Sequence, residues 1–350
     1  VAAVSAGGAG AVFWMWVTAI LGGASAFVES TLAQIYKRKN KDGSSYGGPS
    51  YYMETALRQR WLGVVFAIII ILTYAVGYNM LASYNLQSAF AGFSFYGDHS
   101  PFLIGLILAV LFAACVLGGA HRLTKVTGTL VPIMGVLYVV IALVVVLMHL
   151  NLVPTVFQNI FASAFDFPAI FGGFAGSCMM EGIKRGLYSN AAGMGSAPNA
   201  AATADVSHPV KQGLVQMLSV FIDTILICST TAFMLLLSGV PIDPSVKDMG
   251  YVQTAVLNQV GEFGPFFITV SIFLFAFSSL VGNYYYTETN FKFIRDSQRG
   301  LTLFRVTCVA AVFLGAQMDF STVWNLADVL MGLMSLVKLE AILLLGNLAL

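Results

Sequence analysis

Nine long apolar runs limit what this 350-residue chain can fold into more than any motif in it: residues 9–36, 62–90, 102–119, 128–150, 169–204, 210–239, 264–291, 300–316 and 323–350. A helix that crosses a bilayer needs roughly 20 mainly apolar residues. Lipid offers the backbone no hydrogen-bond partners, so a chain built this way must satisfy its amides within helices. The expected fold class is therefore an all-α, polytopic membrane protein with the lipid bilayer as its solvent. Composition agrees: 58% of the residues are hydrophobic and 9% charged, where a soluble domain carries roughly 25% charged residues. A formal net charge of +1 supplies no basic face for nucleic acid, so none is expected as a partner. Cys115, Cys178, Cys228 and Cys308 stand singly in apolar or small-residue sequence. Metal sites need ligands at short repeated spacings, so these cysteines read as packing residues.

The basic residues orient the runs. Lys37, Arg38, Lys39, Lys41, Arg58, Arg60, Arg122, Lys125, Lys211, Lys292, Arg295 and Arg299 fall in or beside alternate connections, whereas the opposite ones (91–101, 151–168, 240–263 and 317–322) hold only Lys247. By the positive-inside rule the first set is cytoplasmic, which puts Val1 near the outer face. The chain starts at Val1 rather than Met and stops inside an apolar run, so it reads as truncated at both ends.

An internal repeat emerges when the connections are aligned. PSYYMETALRQRWLG (49–63) and MGYVQTAVLNQVGEFG (249–264) each read as a short amphipathic surface helix before a span. The spans that follow carry TYAVGYNMLASYNLQ (73–87) and FAFSSLVGNYYYTETN (275–290), each with a Val-Gly pair, an asparagine and a tyrosine-rich polar stretch. The charge rule places the first connection inside and the second outside. Similar units of opposite orientation make an inverted repeat, an architecture of many secondary transporters. The expected division is 1–150 for the first repeat, whose own first helix would lie mostly upstream of Val1, and 151–350 for the second.

The second repeat opens on GIKRGLYSNAAGMGSAPNAAATAD (182–205). Each Gly costs about 1 kcal/mol of helix propensity relative to Ala, and this stretch adds Pro198, Ser189, Asn190 and Asn199, so the helix is expected to break near Tyr188 to Gly193. Unwound backbone at membrane depth must line a cavity or be satisfied by protein. The two half-helix ends would then offer one pole to an ammonium group or cation and the other to a carboxylate. A small zwitterion suits both. The competing reading is a glycine-laced helix that only packs closely, which is how Gly172, Gly173 and Gly176 are read.

The run RGLYSNAAGMGSAPNAAATAD, with GAVFWMWVTA (10–19) and GGPSYYME (47–54), closely resembles the alanine or glycine:cation symporters, the sodium:alanine symporter family. That resemblance implies a five-plus-five inverted-repeat fold of the leucine-transporter type and sodium-coupled uptake of small neutral amino acids across the plasma membrane. It places the substrate at the break, with Tyr188, Ser189, Asn190, Gly193, Met194 and Gly195 as candidates. Na+ enters as the coupling ion, held by the Phe275 carbonyl and the Ser278 and Ser279 hydroxyls, with no cofactor. Hard oxygen donors suit such a cation; the alternative is that both serines bond back to their own helix. The chain departs from the family at Ala191, Ala82 and Asn283, where Glu, Gln and Trp are common, and the loss at Ala82 bears on substrate preference.

Several charged residues fall inside the runs. Glu181 precedes Arg185 by four residues and Lys184 by three, a neutralised packing group or a cationic lure for substrate carboxylates. Asp223, in FIDTILICSTT, is a proton or cation site or a carboxylate bonded by Thr224 and Thr230. Glu29 and Glu288, at the cytoplasmic ends of their spans, read as gate or interface partners of nearby basic residues. No GxSxG, HExxH or GxxxxGK motif is present, so no enzyme is expected. The functional alternatives are proton coupling on the same fold, a cation channel, and a receptor that binds an amino acid without moving it.

Overall fold

The computed structural model describes residues 1–40, 43–118, 120–173, 177–241 and 249–348. Lys41, Gly176 and Lys247 lie outside the described residues, as do the side chains of Arg122 and Lys125. Most of the apolar runs are single long helices. In chain order the elements are α1 (Ala2–Gly7), α2 (Gly10–Ile35), a hairpin of β1 (Arg38–Lys39) and β2 (Ser45–Tyr46), α3 (Pro49–Thr55), α4 (Arg60–Ser88), α5 (Ser100–Gly118) and α6 (Ala120–Met148). They continue with α7 (Val153–Ala164), α8 (Phe167–Gly172), α9 (Cys178–Asn190), α10 (Ala197–Ala201), α11 (Pro209–Leu237), α12 (Met249–Val260), α13 (Phe263–Ile294), α14 (Gln298–Gly315) and α15 (Phe320–Leu345).

Among the described residues six helices (α2, α4, α5, α6, α11 and α13) are long and apolar enough to cross a membrane. This is a multi-pass membrane protein. The runs at 300–316 and 323–350 also form long helices, α14 and α15; they carry Arg305, and Asp328, Lys338 and Glu340, among their apolar residues. Large apolar side chains such as Leu21, Leu103, Val136, Leu147, Leu303, Leu336 and Leu343 stand on the outside of the bundle, where hydrocarbon rather than water suits them.

The run at 169–204 is not one span. Its first part is the short α8, and only from Cys178 does the chain enter the bundle as α9. The close-packing glycines are correspondingly displaced from the expected positions. Gly172 has open space where a Cβ would stand, and Gly172 and Gly173 are exposed. Gly182 and Gly186, four residues apart on α9, do that work instead. A Cβ on Gly182 would meet the Ala11 carbonyl oxygen at 2.5 Å, and one on Gly186 would overlap Thr18 Oγ1 at 2.0 Å. Small residues one turn apart let two backbones approach, and here they seat α9 against α2.

The two connection helices also form, with one correction. α12 buries Tyr251, Val252, Ala255 and Val256 along one face, as an amphipathic helix should. α3 is not a surface helix: Pro49 to Met53 are all buried, wedged beneath α4 and against the end of α13, where the Tyr51 hydroxyl donates to the Thr289 carbonyl oxygen (3.0 Å). Two of the spans are locally underwound into π-helical turns, at Leu72–Tyr78 in α4 and Phe221–Cys228 in α11. Such turns leave the regular i→i−4 ladder and recur at functional sites. Both lie beside the helix break.

Candidate functional site at the helix break

α9 stops at Asn190, inside the interval the sequence predicts. Ala191 caps it in the left-handed region (φ 51°), and Gly193 (φ 79°) and Gly195 (φ 89°) continue the turn before α10 begins at Ala197. Left-handed backbone costs a residue with a Cβ roughly 1–2 kcal/mol and glycine almost nothing. The exposed amides find partners within the protein. Ala192 N–H donates to Asn190 Oδ1 (3.0 Å), Gly193 N–H donates to Glu29 Oε1 (3.2 Å), and Asn199 Nδ2 donates to the Gly195 carbonyl oxygen (2.7 Å). Glu29 forms an ion pair with Lys338, and both side chains are fully buried. This corrects the expectation of a nearby basic partner for Glu29: the cation comes from α15, far along the chain.

A cavity of about 610 Å³ opens beside the break. Tyr188 and Ser189 line it from α9, with Ala191 and Ser196 from the turn; Ser278, Ser279, Asn283 and Tyr286 face it from α13, Asp223 and Cys228 from α11, and Tyr74, Tyr78, Ala82 and Asn85 from α4. Of the other break residues, Asn190 is buried against α2 beside Gly22. Met194 is buried with its sulfur accepting from the Tyr78 hydroxyl (3.5 Å), and Gly193 and Gly195 shape the turn. These four stand behind the cavity wall rather than on it.

Aromatic rings make much of that wall. Tyr286, Tyr74, Tyr78, Tyr188 and Trp324 meet edge to face in a continuous chain, with centroids 5.5, 4.8, 5.1 and 5.1 Å apart. Arg185 closes its end, 4.1 Å above the Trp324 ring. The partner expected for Arg185, Glu181, is secondary (3.3 Å); the close partner is Asp328 on α15, bound in bidentate fashion at 2.9 and 2.8 Å. Lys184 lies 3.5 Å from Glu181 and 3.8 Å from Asp328. The four charges cancel as a group, and planar guanidinium–carboxylate pairing fixes α9 to α15 at the cavity edge. Glu288 takes the nearest basic residue, Lys292, at 2.7 Å.

Ser278 and Ser279 both donate to the Phe275 carbonyl oxygen, at 2.7 and 2.9 Å. Three oxygens are thereby gathered at one point of α13. Each hydroxyl oxygen keeps lone pairs after donating, so the group can accept a hard cation from the cavity side. Asn283 Nδ2 donates to Asn79 Oδ1 (3.1 Å), with both residues buried. These are the asparagines that follow the Val-Gly pairs at 76–77 and 281–282.

Residues 1–350 match the profile of the sodium:alanine symporter family along their whole length. The chain belongs to this family. Similar relatives include the amino-acid carrier protein AlsT of Bacillus subtilis (strain 168), 46% identical over 348 residues that cover 99% of this chain and 73% of the relative. The probable sodium/glutamine symporter GlnT of the same organism is 43% identical, over 99% of this chain and 71% of its own length. The sodium/alanine symporter AgcS of Methanococcus maripaludis is 36% identical, over 97% and 76% respectively. The sodium:alanine symporter family and these relatives are transporters, not enzymes. Asp328 and Lys338 escape a motif reading altogether. The signal for both is a charge inside an apolar run, which membrane energetics mark as paired or functional.

Proposed function

We propose that the chain is the core of a sodium-coupled symporter of small neutral amino acids in the plasma membrane, built as two inverted repeats of residues 1–150 and 151–350. The supporting observation is that the broken helix and the Ser278–Ser279 pair face one cavity. A solute held at the break and a cation held on α13 would share that volume, which is what coupling their movements requires. Tyr188 and Ser189 contact the substrate in this reading, while Asn190, Gly193, Met194 and Gly195 set the shape of its site. Phe275, Ser278 and Ser279 hold Na+ as the coupling ion. The family and the sodium/alanine and sodium/glutamine relatives support this substrate class.

Proton coupling is the second reading. Asp223, a carboxylate on the cavity wall inside an apolar span, favours it, and one relative of Bacillus subtilis, 40% identical, is named a putative sodium/proton-dependent alanine carrier. Uptake of labelled alanine into proteoliposomes decides between the two. The expected outcome is uptake that collapses when the sodium gradient is removed. Uptake that persists with potassium in place of sodium and follows a pH gradient would establish the second reading. Flux that neither saturates nor follows an ion gradient would indicate a channel.

A further inference from the structure

We infer that Asp223 receives the ammonium group of the transported amino acid; this rests on the reading of the cavity as an amino acid site. Among the described residues two charged side chains reach the cavity wall, Arg185 and Asp223. Arg185 is occupied by Asp328 and Glu181, within a group of two cations and two carboxylates that leaves no net charge. Asp223 enters no ion pair among the described residues. Its one hydrogen bond there is from Ser189 Oγ to its Oδ2 (2.6 Å). A lone carboxylate in the middle of a 29-residue apolar span is costly unless a positive group joins it. The cavity is where that group arrives.

The surroundings select the kind of cation. Ser189 lies in the last turn of α9, a 13-residue helix whose final carbonyls carry partial negative charge. Ser189 Oγ also stands 3.3 Å from Thr224 Oγ1 and 3.1 Å from Cys228 Sγ. The acceptors gathered there are therefore a carboxylate, two hydroxyls and a helix end, with a thiol beside the Ser189 hydroxyl. An ammonium group has three N–H donors in a tetrahedral arrangement, and a carboxylate with one hydroxyl and one carbonyl satisfies them. A sodium ion demands a shell of hard oxygens, and the soft sulfur of Cys228 takes up part of the space such a shell needs. The π-helical turn at Phe221–Cys228 places Asp223, Thr224 and Cys228 around the same Ser189 hydroxyl. The carboxylate thus sits on α11 and the Ser278–Ser279 pair on α13, so ammonium and coupling ion have separate seats.

The test is Asp223→Asn in the full-length protein in proteoliposomes, a change that keeps shape and can still accept from Ser189. Hydrogen bonds to a charged group are individually strong, so the half-saturating alanine concentration should rise about tenfold or more. The half-saturating sodium concentration, measured at saturating alanine, should not move. Alanine should also lose its advantage over propionate, which lacks the ammonium group, as a competitor for binding. A second variant, Thr224→Val, keeps the carboxylate and should weaken alanine several-fold with the thermal midpoint unchanged. A shift in sodium dependence with alanine affinity intact would overturn the inference and give Asp223 to the coupling ion. So would unaltered alanine affinity in both variants. Equilibrium binding of labelled alanine without any gradient scores the same variants even if sodium coupling itself fails, so the two ideas fall separately.

Discussion

Ser279 is the residue at which the sodium reading is most exposed to test. Its hydroxyl and that of Ser278 converge on the Phe275 carbonyl oxygen, an arrangement that serves a helix-bonded serine and a cation ligand equally well. Ser279→Ala removes one of a few oxygens from the group. An interaction of that kind with a charge is worth roughly 1.5–3 kcal/mol, so the sodium concentration for half-maximal transport should rise about tenfold or more. Maximal rate at saturating sodium should fall less, because the proposed substrate contacts lie on α9 and α11. Ser271, two turns earlier on α13, is also bonded to its own helix, to the Phe267 carbonyl oxygen (2.8 Å), and Ser271→Ala controls for general damage. An unaltered sodium dependence in a folded Ser279→Ala protein would withdraw the assignment. At this scale the sequence is generous with residue type and poor with partners. Arg185 and its neighbouring acid were visible in the i,i+4 spacing, whereas the bidentate bond to Asp328 spans 143 positions and no local pattern encodes it.

The break between α9 and α10 is the element on which the cavity depends, and it is legible from composition because backbone conformation is a local property. Glycines at 193 and 195, with Pro198 just beyond, disfavour helix wherever they stand. The tightness of the turn is a different matter. A Cβ on Gly195 would stand 2.6 Å from the Phe66 ring, 3.0 Å from Pro49 and 3.1 Å from Lys338, contacts contributed by three other elements. Gly195→Ala therefore combines a left-handed backbone cost of about 1–2 kcal/mol with an overpacking cost of about 1–3 kcal/mol. The expected outcome is a clearly lowered thermal midpoint and weakened alanine binding. Gly172→Ala, in open space on α8, should change neither. A Gly195→Ala protein as stable as its parent would mean that α3, α4 and α15 do not clasp the turn as described. Composition also misplaced α3: its Tyr and Met residues are buried on both sides, and an amphipathic pattern cannot show that a helix is covered by elements that arrive later in the chain.

Across the whole molecule, the long apolar helices follow from run length alone, because lipid leaves the chain no other way to satisfy its backbone. Polar contacts between distant segments also tie these helices together, and the fully buried Glu29–Lys338 pair is one of them. It joins α2 to α15, and through Glu29 Oε1 it also holds the Gly193 amide at the break. Both side chains are fully buried, so each charge depends on the other for compensation. Removing one partner of a buried ion pair costs about 3–5 kcal/mol, because the remaining charge is left in a medium that cannot solvate it. Lys338→Met should therefore lower the thermal midpoint of the purified protein sharply. Glu29→Gln combined with Lys338→Met removes both charges and leaves an oxygen that can still accept from Gly193. Most of the lost stability should return in that double variant, since a neutral pair of similar volume is often no worse than the ion pair it replaces. The coupling is read as a double-mutant cycle on unfolding midpoints, with alanine binding measured alongside to report on the break. Additive losses in the double variant would show that the two side chains act independently, and that the link from α15 through α2 to the helix break does not exist.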